Sequence, residues 1–446
     1  MNNPAVQPFI MTNGWTKIGR GVSLATSLCL LFASLLMAII FPKSMLFLAC
    51  VMALASLRRE RTLVSAFFFL AATHCILGYF LAFRSEEHIF SNFSHYEFWF
   101  AQAAFAVSLG LIGVSIGYQL SDHVNRTWIN YLSIDEDKLR IVTKVVVVLG
   151  AAAILCMYSR FALVQVLLEN FISAGKLRYL GGESASDVWI VAKALDVLTY
   201  SLPLLWVIRK HKIDYLTYAV GFIALLLTLR RASILSVLLV PIIVRSEKVN
   251  FRKLAVVFLV LISVYSASQI VFLNADKGSA VTAMASAFPE TRDLGWVMAS
   301  MDGKYLYGST FVQPFDPLPT FLSDWKQTHT MEYVTANLLG FDPQKRDFGG
   351  LRLTMAGEAY MNFWLLGPTP FALLLGFGIA WSERSLKFSD TVPVRYLSAT
   401  LFLWFSFWLY MGGTQALGTI KFGAIVLFAM YFFSRKQTPA LTPEMP

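Results

Sequence analysis

Apolar segments of about 20 residues alternate with short polar segments along most of the chain. A helical run of this length matches the hydrocarbon thickness of a bilayer, whereas a membrane β-barrel would show alternating polar and apolar positions instead. One polar stretch, from about 274 to 356, interrupts the repeat. The pattern predicts about twelve transmembrane helices, at approximately 22–40, 44–57, 63–83, 97–119, 141–160, 188–208, 213–229, 232–244, 254–273, 357–381, 396–412 and 417–434.

The composition agrees with this pattern. The 446 residues are 57% hydrophobic and 14% charged, while a soluble protein would carry about 25% charged residues. We therefore predict an all-α polytopic membrane protein that forms a single integral membrane domain over 1–446. All four cysteines lie in apolar segments, so we expect no disulfide framework, no protein-built metal site and no cofactor.

Lysine and arginine residues concentrate in alternate connections between the predicted spans. Cytoplasmic loops carry such an excess, so these connections and both termini are predicted to be cytoplasmic. The loops at about 84–96, 161–187 and 274–356 are then extracytoplasmic. This bias accounts for the net charge of +10, and nucleic acid is not an expected partner. The basic connections hold Lys17 and Arg20; Arg58, Arg59 and Arg61; Arg126, Lys138 and Arg140; Arg209, Lys210 and Lys212; Arg245, Lys248, Arg252 and Lys253; Arg384, Lys387 and Arg395; and Arg435 and Lys436.

Arg230 and Arg231 separate two predicted spans that are each too short for a hydrocarbon core of about 30 Å. A single helix through them would bury both arginines and place the basic segment 245–253 outside, against the positive-inside rule. We therefore predict two helices that meet at an outer turn. Their guanidinium groups either extend to the lipid headgroups or hold an anion in a water-filled cavity.

Two outer loops carry candidate chemistry. The loop at 161–187 begins with an apolar-periodic stretch, 161–171, that predicts a helix lying in the interface. It continues through Lys176 and Arg178, which are cations on the face where cations are sparse. The loop at 274–356 is rich in aromatic residues and prolines, which predicts ordered structure. Its aromatic rings suit the C–H faces of sugars, or else form an interfacial belt.

Ionisable residues also enter the predicted helices. Glu358 and Asn362 are four residues apart and share a helix face, whereas Tyr360 does not. Glu358 either complements the helix dipole in the first turn or acts on a substrate. Lys193 and Asp196, three residues apart, are predicted to pair inside the bundle.

The segment Gly357-Glu358-Ala359-Tyr360-Met361-Asn362-Phe363-Trp364-Leu365-Leu366-Gly367 resembles the "GEaYxNfGllG" signature of the bacterial oligosaccharide repeat-unit polymerases, the O-antigen polymerase family. Tyr307-Gly308-Ser309, the stretch from Pro317 to Lys326, and Leu229-Arg230-Arg231-Ala232-Ser233 are similar to further parts of that family's pattern. The resemblance extends from Thr228 to Gly378. Trp364 stands where the signature has glycine, and the family's Pro-Arg pair is missing after Pro319.

The resemblance implies glycosyl transfer on the outer leaflet of the bacterial inner membrane. A growing glycan on polyprenyl diphosphate would move onto the non-reducing end of a new lipid-linked repeat unit. The implied partners are the polyprenyl-diphosphate-linked oligosaccharides, the lipid bilayer, and a chain-length regulator and a flippase of the same pathway.

The same resemblance suggests site residues. Cations are needed where the charge of the leaving diphosphate develops, and a carboxylate is needed to take the acceptor's proton. The catalytic candidates are Glu358, Arg292 and Arg178. The substrate- or diphosphate-binding candidates are Arg230, Arg231, Arg352, Lys176, Tyr360 and Asn362.

Three alternative functions stay open at this point. An O-antigen ligase shares the layout of many spans with one large outer loop, but its loop histidine arrangement is not evident beside His329 alone. A transporter of lipid-linked sugars would show related halves, and the chain has no convincing repeat. A membrane acyltransferase would need an intramembrane histidine, for which His74 is the candidate.

Overall fold

The computed structural model describes residues 96–121, 133–172, 185–245, 290–301, 305–312, 353–389, 391–411 and 413–436, with single residues between 29 and 36 and short pieces between 316 and 337. These residues are mostly helical, and no strand occurs among them. The helices are α1 Tyr96–Leu120, α2 Glu136–Tyr158, α3 Leu163–Ile172, α4 Ala185–Ile208, α5 Lys212–Leu227, α6 Arg231–Arg245, α7 Glu290–Met301, α8 Ser309–Val312, α9 Asp324–Thr328, α10 Met355–Phe363, α11 Pro368–Phe388, α12 Val392–Met411 and α13 Gly413–Phe433.

Most of the predicted spans that fall on described residues coincide with one helix each. The spans predicted at 97–119, 141–160, 188–208, 396–412 and 417–434 correspond to α1, α2, α4, α12 and α13. In the span predicted at 22–40, single described residues are helical. The spans predicted at 44–57, 63–83 and 254–273 lie outside the described residues. The total of twelve spans and their orientation therefore stay predictions.

Length, apolarity and exposure together indicate a membrane protein. In the described part of the chain, three helices are long and apolar enough to cross a bilayer: Ala101–Leu120, Glu136–Tyr158 and Ser186–Ile208. The shorter helix α5 exposes Ile213, Leu216, Val220 and Ile223 along one face, at the spacing of a helical stripe. A continuous apolar surface of this kind is costly in water and is favoured against lipid.

The tenth predicted span differs from the structure. The sequence pattern predicted one helix over 357–381, but α10 ends at Phe363 and a 3₁₀ turn, Trp364–Leu366, separates it from α11. Gly367 precedes Pro368 at the first turn of α11. Proline lacks the N–H that would continue the α10 hydrogen-bond ladder, so the helix breaks here and restarts.

The turn around Arg230 agrees with the prediction of two helices. α5 ends at Leu227, α6 begins at Arg231, and Leu229 between them has a left-handed backbone with φ 46°. The helix predicted in 161–171 is also present, as α3. Its Leu163, Val164 and Leu168 are exposed while Val166 is buried, which is an amphipathic arrangement.

Several basic helix ends meet at one end of the bundle, here called the basic end. The Lys210 ammonium lies 3.3 Å from Asp137 Oδ1, which joins the start of α2 to the connection between α4 and α5. The backbone N–H of Asp135 donates to Ser434 O at 2.8 Å, and that of Lys436 to Ser133 O at 3.0 Å. At the opposite end, Arg160 pairs with Asp187 at 3.4 Å. These contacts bring together the connections that the charge pattern predicts to share one membrane face.

The backbones of α1 and α11 approach each other closely at glycine positions. The helices run parallel, because Leu109 contacts Thr369 near one end and Tyr118 donates to Glu383 Oε2 at 2.7 Å near the other. A Cβ added to Gly117 would lie 1.9 Å from Leu373 O. Small residues spaced four apart allow the backbones of two membrane helices to come this close. α11 is therefore held against α1 and fixes the position of the preceding helix, α10.

Candidate functional site

The polar face of α10 is buried. Thr354 caps the helix by accepting a hydrogen bond from Gly357 N–H at 3.3 Å. Glu358 in the first turn and Asn362 one turn later both have no exposed surface. Buried polar side chains are costly unless they have partners, so their contacts define what this helix does.

Asn362 uses both ends of its amide. Its Oδ1 accepts from Gly308 N–H at 2.7 Å, and its Nδ2 donates to Thr310 Oγ1 at 2.8 Å and to Glu358 O at 2.9 Å. The last of these bonds confirms that Glu358 and Asn362 share a helix face. Together the bonds hold a segment of the long polar loop against α10, and we refer to them as the Asn362 contact.

Backbone hydrogen bonds extend the Asn362 contact. Leu306 N–H donates to Met361 O at 3.0 Å, and Tyr307 N–H donates to Asn362 O at 3.2 Å. α10 breaks at Trp364, so these two carbonyls accept from the loop at the end of the helix. The loop segment 306–310 thus takes the place of the missing helical turn.

Three residues in this region have left-handed backbones: Tyr307 with φ 47°, Gly308 with φ 88° and Trp364 with φ 56°. Only the glycine adopts such angles without steric cost. Strained positions of this kind persist where surrounding contacts fix them, and they concentrate at functional sites. Trp364, which stands where the similar signature has glycine, has a backbone conformation that favours glycine.

An aromatic cavity of about 520 Å³ opens beside the Asn362 contact. Phe311 and Phe371 stack with ring centroids 4.5 Å apart, and Phe363 stacks on Phe371 at 5.7 Å. The wall is mostly apolar, and the fully bonded amide of Asn362 lies buried behind it. The lining residues are Tyr305, Tyr307, Asn362, Phe363, Trp364, Leu366, Gly367, Pro370 and Phe371.

Tyr305 and Tyr360 lie next to each other between the cavity wall and the core. Their rings meet edge to face, with centroids 6.5 Å apart. Burial raises the pKa of the Tyr305 hydroxyl further above its usual value, which already lies well above 7, and so Tyr305 is protonated at neutral pH. The Tyr305 hydroxyl can therefore donate to a ligand in the cavity, and the buried Tyr360 ring packs against the Tyr305 ring.

Arg230 lies half-buried in the turn between α5 and α6. Its positive charge interacts with Asp196 on α4, the helix against which α6 packs. Asp196 itself pairs with Lys193 at 3.2 Å, as the sequence predicted. Arg230 is therefore part of a charged group in the bundle.

For the other candidate cations, the structure gives at most a position along a helix. Arg292 lies on α7, two residues before Leu294, which packs against Gly357 of α10. Arg231 is the first residue of α6. Lys176, Arg178 and Arg352 lie outside the described residues. The roles assigned to these cations therefore stay predictions.

Some contributors to the site were not singled out from the sequence. Thr310 and Tyr305 became visible only through their partners on α10, more than 50 residues further along the chain. Lys421 on α13, whose ammonium donates to Asp316 O in the long polar loop at 3.2 Å, had a usable signal, because a lysine inside an apolar segment of membrane length is a functional hypothesis by itself.

Comparison of the chain with protein-family models, with curated proteins and with solved structures found no significant match.

Proposed function

We propose that this protein polymerises a bacterial surface polysaccharide. It would transfer a glycan from polyprenyl diphosphate onto a lipid-linked oligosaccharide repeat unit, at the outer leaflet of the inner membrane, as a multi-pass glycosyltransferase. The observation that carries the proposal is the Asn362 contact. It holds the long polar loop against the helix that bears Glu358, beside an aromatic cavity.

The proposed reaction exchanges one bond for another. The acceptor hydroxyl oxygen bonds to the anomeric carbon of the donor glycan, and the bond from that carbon to the diphosphate oxygen breaks. The electron pair leaves with polyprenyl diphosphate, and a base takes the hydroxyl proton. Confining both lipid-linked substrates to one leaflet raises their effective concentration, which lowers the entropic part of the barrier.

The aromatic cavity is the proposed acceptor site. Aromatic faces pack on the C–H faces of sugar rings, and a few polar groups fix the orientation. The Tyr305 hydroxyl would supply such a group at the wall, and the Asn362 contact would hold the wall in shape. Tyr360 would support Tyr305 from the core.

Glu358 is the proposed base. It is fully buried and lies one helical turn before Asn362, which lines the cavity. Contacts between a base and its acceptor hydroxyl are often completed only in the substrate complex. A substitution by glutamine keeps the shape and removes the proton acceptor, so it should lower kcat and leave KM nearly unchanged. A raised KM with unchanged kcat would instead identify Glu358 as an orienting group.

The candidate cations would stabilise the leaving diphosphate. Guanidinium groups bind phosphate oxygens in bidentate fashion, which suits Arg230, Arg231 and Arg352 for binding and Arg178 and Arg292 for the developing charge. Lys176 would add a further positive charge.

A product assay tests the proposal. Purified protein in nanodiscs would receive its own polyprenyl-diphosphate repeat unit, with or without a lipid A core acceptor. A ladder of lengthened glycans without the core acceptor supports a polymerase. Transfer only when the core acceptor is present would identify a ligase, and translocation without lengthening would identify a transporter.

A further inference from the structure

The side chain of Arg209, in the connection between α4 and α5, lies against two aromatic rings at the basic end. Its guanidinium carbon is 3.5 Å from the centre of the Trp206 ring and 5.0 Å from the centre of the Tyr215 ring. Its Nη1 donates to Trp206 O, one of the last carbonyls of α4. These contacts together fix the guanidinium group in one position.

The positive charge of Arg209 is not neutralised by a neighbouring carboxylate. The carboxylates at this end of the bundle pair with other cations: Asp214 Oδ1 lies 3.2 Å from the Lys144 ammonium, and Asp137 Oδ1 lies 3.3 Å from the Lys210 ammonium. Within the ranges that the structure describes, no ion pair includes Arg209. An anion from outside the chain is therefore the group that would complete it.

A second cation of this kind is Lys212, the first residue of α5. Its side chain is exposed, and in the described part of the chain it has no ion-pair partner. The spacings of three and four residues place Tyr215 and Leu216 on the same side of α5 as Lys212. Because Arg209 packs on the Tyr215 ring, both cations border Tyr215 at the rim of the bundle.

An exposed apolar stripe leads away from this rim along α5. Ile213, Leu216, Val220 and Ile223 are each between 41% and 66% exposed. At a rise of about 1.5 Å per residue the stripe is about 15 Å long, which is half of a hydrocarbon core of about 30 Å. The stripe therefore matches the depth of one leaflet, with the two cations at its headgroup end.

This combination suits one class of lipid. A guanidinium group presents its N–H donors in a plane that matches phosphate oxygens, and an ammonium attracts them as a point charge. Cations next to a membrane surface favour anionic lipids. A zwitterionic headgroup brings its own ammonium close to the two cations, which weakens its attraction, whereas an anionic headgroup does not.

We propose that Arg209 and Lys212 bind the phosphate of an anionic phospholipid, and that an acyl chain of this lipid lies along the apolar stripe of α5. The Trp206 and Tyr215 rings are positioning groups for Arg209. The bound lipid covers the connection between α4 and α5. This site goes beyond the proposed glycosyl transfer, which uses none of these residues.

The experiment measures lipid binding to the full chain by native mass spectrometry in a neutral detergent. The probes are dioleoyl phosphatidylglycerol and dioleoyl phosphatidylcholine, which share their acyl chains and differ in headgroup charge. The variants are Lys212→Gln, Arg209→Gln and Arg209→Lys. Arg435→Gln is the matched control, because it removes an exposed positive charge from the same end of the bundle.

We expect wild type and Arg435→Gln to bind phosphatidylglycerol more tightly than phosphatidylcholine. Lys212→Gln and Arg209→Gln should each weaken phosphatidylglycerol binding about fivefold and leave phosphatidylcholine binding unchanged. Arg209→Lys keeps the charge but loses the planar donor edge, so its preference should be intermediate. Lys212→Gln removes none of the contacts that hold Arg209, so its result does not depend on the α4 cap.

Two results would overturn the site. Unchanged preference for phosphatidylglycerol in folded Lys212→Gln and Arg209→Gln would leave both cations without a lipid role. An equal loss in Arg435→Gln would show a general attraction of the basic end instead of a site. Excess inorganic phosphate should not displace the lipid more than sodium chloride of the same ionic strength, because phosphate lacks the acyl chains; stronger displacement would assign the cations to a soluble anion.

Discussion

The side-chain amide of Asn362 donates to the hydroxyl oxygen of Thr310 at 2.8 Å, across 52 residues of sequence. The same amide accepts from the Gly308 backbone. Both contacts are buried, where hydrogen bonds are shielded from competing water. The end of α10 and the loop segment before α8 therefore form one unit, and a change in either alters the shape of the aromatic cavity.

Removing the Asn362 amide should destabilise this unit. Asn362→Ala leaves the buried Gly308 N–H and Thr310 hydroxyl without their partners, which costs about 1–3 kcal/mol for each such group. Thr310→Val removes one contact and should cost less. The melting temperature of the purified protein measures both, and equal values for Asn362→Ala and wild type would show that the contact contributes nothing.

Replacement of Trp364 by glycine should destabilise the protein less than replacement by alanine. The backbone of Trp364, at φ 56° and ψ −151°, lies in a region that glycine adopts without strain and that costs other residues about 1–3 kcal/mol. Both substitutions remove the indole ring, so their difference isolates the backbone. Trp364→Gly is expected to melt at a higher temperature than Trp364→Ala. The opposite order would mean that the left-handed backbone is not strained at this position.

Contact between α1 and α11 should depend on glycine at 117. Gly117→Leu places a side chain against Leu373 O and should separate the helices, which prevents stable folding. Gly110→Ala is the control, because its added methyl would meet only the Ala356 side chain, at 3.2 Å. Size-exclusion profiles and protease resistance distinguish the two. A monodisperse, protease-resistant Gly117→Leu protein would contradict this packing.

Chemical labelling of introduced cysteines measures which end of the bundle faces the outside of the cell. In a variant without native cysteines, Tyr307→Cys should react with an impermeant maleimide on intact cells, because Tyr307 is 80% exposed and belongs to the loop at 274–356 that is predicted to be outside. Lys210→Cys, at the basic end, should react only after permeabilisation. The reverse pattern would invert the orientation predicted from the charges.

Parts of this architecture follow from the sequence, since they depend on local rules. The two helices around Arg230 follow from charge and length, and the pairing of Lys193 with Asp196 follows from their spacing. The break after Phe363 also had local signals, Gly367 and Pro368, but the apolar character of the whole segment outweighed them. Apolar content alone does not distinguish one helix from two.

The remaining parts depend on contacts between distant segments. Nothing in the pattern of residues pairs Asn362 with Gly308 and Thr310, because polar groups in a loop have many possible partners. The contact of Lys193 with the Phe422 ring depends on α13 packing against α4, which amphipathic periodicity does not specify when helices are apolar on all sides. The Asn362 contact, which is also of this long-range kind, forms the wall of the candidate site.

Glycan lengthening by the purified protein, compared between Glu358→Gln and Glu383→Gln, tests the central claim most directly. Both glutamates are buried, but Glu383 lies on α11 near the basic end and accepts from Tyr118 at 2.7 Å. If Glu358 is the base, the wild type and Glu383→Gln should produce a ladder of products, while Glu358→Gln should be slower by about 10²–10⁴-fold. A full ladder from folded Glu358→Gln would contradict the assignment, and no ladder from wild type with authentic substrate would contradict the polymerase itself.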